Sequence, residues 1–117
     1  ERNTHKWPTW DGKKDKYDTW DYEMDGLLAV HGLLSTKQGT NRKKLDSADE
    51  KTVQKYTSRN LKLWARLMRG ISSDTAEGKA LKLMIRDDFG SEFDGYGLAL
   101  YLKAYSAAHP SLKTWSL

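Results

Sequence analysis

This sequence predicts an all-α domain, a compact bundle of four to six helices, and three observations carry that expectation. Fifteen Leu and nine Ala stand against two Val and two Ile. Leu and Ala favour helices, whereas β-branched residues favour strands. Apolar positions recur at steps of three and four along several stretches, the period of one helical face. Those stretches open on Ser or Asp and close near Gly, as helices begin and end. A chain of 117 residues fits one domain. Its folding buries about 65% of the unfolded surface, enough for a core without covalent staples.

Residues 1–16 are polar and carry Trp7 and Trp10 around Pro8, which reads as an extended lead-in whose aromatics pack onto the body. From Tyr17 one face collects Tyr17, Trp20, Met24, Leu27, Leu28, His31 and Leu34, so a helix is expected over 17–35. Asp15 is its expected N-cap, and Gly32 weakens its last turn. Gly39, Thr40 and Asn41 mark 36–46 as a loop. Ser47 with Glu50 fits a capping box and opens a second helix over 47–70. Val53, Tyr56, Asn60, Leu63, Trp64, Leu67, Met68 and Ile71 form its stripe, and Gly70 helps to end it.

Ser72-Ser73-Asp74 starts a third helix, expected over 74–88, with Ala76, Ala80, Leu81, Met84, Ile85 and Asp88 near one face and Gly90 as the stop. Ser91 opens the last helical segment, whose stripe is Gly95, Leu98, Ala99, Leu102 and Tyr105, and which ends before His109-Pro110. The domain proper therefore spans 17–108, and 109–117 read as a tail or the start of a further element.

Composition excludes several kinds of chemistry. There is no cysteine, hence no disulfide scaffold, no cysteine-bound zinc and no thiol nucleophile. No apolar run reaches the roughly 18 residues of a membrane span, and no signal-peptide core is present. His5, His31 and His109 lie far apart, without the close spacing that metal ligands use. The sequence has no Gly-x-Ser-x-Gly elbow and no phosphate loop. Asp87, Asp88, Glu92 and Asp94 lack the order of a calcium loop and read as helix-end acids. Neither an enzyme nor a cofactor is expected.

The net charge is +4 and the pI about 9.2, a weak basic excess in which clustering matters more than the sum. Lys37, Arg42, Lys43 and Lys44 form the cleanest basic segment. It reads either as a solvated loop or as a contact for phosphate, RNA or another polyanion. Trp20 and Trp64 read as core anchors. Trp7, Trp10 and Trp115 either pin the termini onto the bundle or meet a partner.

One arrangement of motifs adds to this reading. Trp10-Asp11-Gly12, Tyr17, Trp20, Met24, Leu27-Leu28 and His31-Gly32-Leu33 come in that order. Asn60 to Ala65 and on to Ile71 follow, and Asp94-Gly95-Tyr96-Gly97-Leu98, Leu102 and Tyr105 close the pattern. The series resembles the opening of Gag polyproteins from copia-type LTR retrotransposons. Its signature residues here are Trp10, Gly12, Tyr17, Trp20, Met24, Leu28, Trp64, Ile71, Leu98, Leu102 and Tyr105.

The resemblance implies a fold like the N-terminal domain of a retroviral capsid. It also implies a self-assembling shell protein, with other copies of itself as partners, RNA as a weaker one, and a cytoplasmic virus-like particle as its place. The family's Cys/His zinc knuckle lies further along its polyproteins, so the chain, which starts at Glu1, is expected to be a piece of a longer protein. Two other readings stand beside this one. The chain could be a small helical nucleic-acid-binding module, or a domesticated Gag-like adaptor that binds a peptide.

Overall fold

The computed structural model describes residues 6–40, 42 and 49–107. Among them are a 3₁₀ turn at Lys14–Lys16 and five α-helices: α1 Tyr17–Val30, α2 Leu34–Gln38, α3 Glu50–Arg69, α4 Ala76–Phe89 and α5 Gly95–Ala107. The architecture is the all-α bundle that composition and periodicity predict. α3 and α5 form the main helix pair, with α2 against both. One core cluster joins Trp10 to Trp20, Met24 and Leu28 of α1, Leu63, Trp64 and Leu67 of α3, Ile71, Leu81 and Ile85 around α4, and Leu98 and Leu102 of α5.

The lead-in belongs to that core. Trp10 is 1% exposed. Its indole stacks on Trp20 with ring centroids 5.1 Å apart and donates through Nε1 to the Lys13 carbonyl at 2.8 Å. The backbone is held as well: the Trp10 N–H donates to the Gly70 carbonyl at 2.7 Å, and the Ser72 N–H donates to the Trp10 carbonyl at 2.8 Å. Two residues on, Gly12 takes φ +89°, and a Cβ there would sit 2.7 Å from the Gly78 nitrogen. Only glycine lets the lead-in cross the start of α4 this closely. Thr75 fastens the crossing, because its hydroxyl donates to the Asp11 carbonyl at 2.7 Å and accepts from the Gly78 N–H at 3.0 Å.

Several boundaries differ from expectation. α1 has no side-chain cap, because the 3₁₀ turn holding Asp15 runs straight into it. It ends at Val30 rather than 35. Gly32, at φ +73°, closes it as a Schellman turn: the Leu33 N–H donates to Leu28 at 2.8 Å and the Gly32 N–H to Ala29 at 3.2 Å. A short helix, α2, then fills the first part of the expected loop.

α3 starts at Glu50 on an Asp49 cap, whose Oδ1 accepts from the Thr52 N–H at 2.8 Å; Ser47 lies outside the described residues. Val53 on its stripe is exposed. α4 is capped by Thr75, not Asp74, and turns Gly78, Leu81 and Ile85 inward while Ala76, Ala80, Met84 and Asp88 face out. α5 begins at Gly95 rather than Ser91, and its stripe is buried as expected, with Tyr105 half-buried. The 109–117 segment lies outside the described residues.

Candidate docking surfaces

The residues that carry the family resemblance converge, and they converge inside. Trp10, Tyr17, Trp20, Met24, Leu28, Trp64, Ile71, Leu98 and Leu102 share the core cluster, with Tyr105 packed against it. The Tyr105 hydroxyl donates to the Gly12 carbonyl at 3.4 Å. These positions hold the fold together, and Trp64, 9% exposed, also lines a surface depression, so contact with a partner has to come mostly from other residues.

The basic segment is partly occupied by the fold itself. The Lys37 ammonium donates to Asp21 Oδ1 at 2.6 Å and also to Asp25 Oδ1. Its side chain is only 13% exposed. Two carboxylates thus offset a charge that the sequence offers to a polyanion, and Lys37 ties α2 to α1 instead. Arg42 donates to the Tyr56 hydroxyl at 2.9 Å and lies over the Tyr96 ring at 4.4 Å. The hydrogen bond to Tyr56 keeps its guanidinium even more firmly protonated than usual. Lys43 and Lys44 lie outside the described residues.

Lys37 sits at the wall of a cleft of about 770 Å³ between α1, α2 and α5. Asp15, Asp18, Asp21 and Asp25 line one side, and Lys14 and Lys103 stand among the other lining residues. Within the cleft Lys37 answers Asp21 and Asp25, while Asp18 stays exposed at its edge. Burial, with Asp21 adding to it, holds the Tyr17 phenol well above its ordinary value, so it stays protonated at any physiological pH. Among the described residues no group of three His, Cys, Asp or Glu is placed to hold a metal.

A second depression, of about 540 Å³, lies between α3 and α4 and has a different chemistry. Trp64 and Met68 form its floor with Phe93, whose ring centroid is 5.7 Å from that of Trp64. Leu83 and Phe93 line it and are each 51% exposed. Lys79, Lys82 and Arg86 rim it. Their steps of three and four put them on one stripe of α4. An apolar floor with a cationic rim fits an apolar ridge flanked by carboxylates.

Sequence reasoning passed over this groove. Phe93 lies between two helices and so on no stripe. The basic stripe at 79, 82 and 86 is the signal that would have found it.

The outward side of α1 is the chemical opposite. The helix carries Asp18, Asp21, Glu23 and Asp25 and no Lys or Arg. Asp21 and Asp25 are engaged by Lys37, while Asp18 and Glu23 stay exposed on either side of Tyr22 in the sequence. Tyr22 is 81% exposed and Val30 65%.

Comparison with protein-family models, with curated proteins and with solved structures finds no match for this chain. Among the described residues no helix is long and apolar enough to cross a membrane.

Proposed function

We propose that this chain is a self-assembling structural domain, the capsid unit of a Gag-like protein from a retrotransposon-like element, whose copies pack into a shell around RNA. The observation that carries the reading is the contrast between two surfaces that the described residues leave exposed on one small bundle. A cation-rimmed apolar groove lies on α3 and α4, and an acidic ridge with an exposed Tyr22 lies on α1. No residue is common to the two surfaces. Contacts between unlike surfaces of identical subunits propagate, giving rings when the rotation closes and extended lattices when it does not. Each contact can be weak, since a lattice multiplies it. The order of the motifs over most of the chain supports the same reading.

Electron microscopy of the purified protein at rising concentration, with and without RNA, tests it. Particles, tubes or sheets are expected above a threshold concentration. A featureless field at every concentration, from this chain and from a longer polypeptide containing it, counts against the proposal. RNA binding that is strong while the protein stays monomeric would instead make it a nucleic-acid-binding module.

A further inference from the structure

We infer that the α3–α4 groove takes α1 of a second copy of this chain, with Tyr22 seated on the floor made by Trp64, Met68 and Phe93 and with Asp18 and Glu23 against Lys79, Lys82 and Arg86. The inference rests on the self-assembly reading and names the surfaces that reading needs.

Charge complementarity argues for this occupant. The charged residues of the rim are all cationic, with Lys82 also donating to Ser73 Oγ at 2.8 Å, and α1 is the helix with four carboxylates and no base. With Asp21 and Asp25 held by Lys37, the acids left for a partner are those that flank Tyr22. The apolar parts match as well. Phe93 and Leu83 stand half exposed in the groove, and Tyr22 is the most exposed large hydrophobic residue described. Aromatic residues set in a pocket and ringed by polar groups are the usual anchors of protein contacts.

Gly26 gives a further sign. It lies one turn beyond Tyr22 in the middle of α1, where glycine costs about 1 kcal/mol relative to alanine. A Cβ at Gly26 would meet no described atom within 4 Å, so the packing of the domain gives glycine no use there. A helix that must approach another backbone closely does have a use for it.

The contact is between unlike surfaces, so it leaves each copy with one free groove and one free α1. That is the condition for growth beyond a dimer.

Charge-swapped versions of the 117-residue chain decide the matter. One variant carries Lys79→Glu, Lys82→Glu and Arg86→Glu, and the other Asp18→Lys and Glu23→Lys. Four of the five are exposed and Lys82 is half-buried, so circular dichroism checks that both variants fold. Each variant alone places like charges across the contact and should associate about tenfold or more weakly than the wild type. Mixed one to one, the basic groove of the second meets the acidic α1 of the first, and the converse pair matches too, so association returns.

Tyr22→Ser, at a position the fold leaves exposed, should weaken association with no change in melting temperature. If the wild type assembles while the two charge-reversed chains assemble equally well alone, or stay apart when mixed, the inference is overturned and self-assembly stands with another interface. A wild type that never associates overturns both.

Discussion

Trp10 is the residue on which the N-terminal half of the structure turns. Its ring meets Trp20, Tyr17 and Tyr105, and its backbone bridges to Gly70 and Ser72. Trp10→Ala should cost about 3–5 kcal/mol, a large share of the stability of a small domain. Chemical denaturation measures that loss. Gly26 is the opposite case: Gly26→Ala should stabilise the fold by roughly 0.5–1 kcal/mol, since no described neighbour obstructs the methyl group. A fall in melting temperature would show that Gly26 is needed inside the domain.

Tyr101 makes a pH prediction. Burial, together with its hydrogen bond to Asp88, pushes its phenol up to about 12. The unfolded chain releases this proton near pH 10 and the folded chain holds it until about 12, so stability is complete below 10 and is lost as pH rises through that window. Tyr101→Phe should flatten part of the alkaline decline, read as melting temperature against pH. Tyr17 and Tyr105, whose phenols are also held above their ordinary value by burial, keep the remainder.

At the scale of the element, the lesson lies in how helices meet. Asn60 is a polar interruption in the apolar stripe of α3, and its role appears only once α5 docks. Its Oδ1 accepts from the Tyr96 N–H and its Nδ2 donates to Asp94 Oδ1, both at 2.8 Å. α3 thus caps the first turn of α5, whose leading N–H groups have no partner within their own helix. A Cβ at Gly95 would lie 2.5 Å from the Asn60 carbonyl oxygen, so the two helices touch backbone to backbone. Asn60→Ala should cost about 1–2 kcal/mol by leaving the Tyr96 N–H without its acceptor, and amide exchange at the start of α5 should quicken.

The stripes of α3 and α5 were legible because period and burial coincide there. The break after Val30 was not, because a lone Gly in a helical stripe looks the same in sequence whether it weakens a turn or, as Gly32 does at φ +73°, ends the helix in the left-handed region. The caps of α1 and α4 were misplaced for a related reason: Asp15 and Asp74 have the right chemistry, but the lead-in crosses at Thr75 and the 3₁₀ turn consumes Asp15.

At the scale of the whole molecule, sequence periodicity found the core and missed the surface. A helical stripe marks what must be buried, and so Trp20, Met24, Leu28, Trp64, Leu98 and Leu102 are core residues. Docking residues follow no such rule. Phe93 sits between helices, and Lys79, Lys82 and Arg86 look like ordinary solvated charge until Leu83 and Trp64 are seen beside them. The basic segment illustrates the converse, since Lys37 looked available and is held by Asp21 and Asp25. If copies join by charge across an apolar centre, added salt should weaken their association, because screening at 1 M ionic strength shortens the reach of exposed charges to about 3 Å.

The most direct measurement is sedimentation velocity of the purified chain over a wide range of concentration at low salt. A self-assembling domain joined by unlike surfaces gives a weight-average sedimentation coefficient that climbs with concentration past that of a dimer and falls back when salt is added. A coefficient that stays at the monomer value throughout would contradict self-assembly.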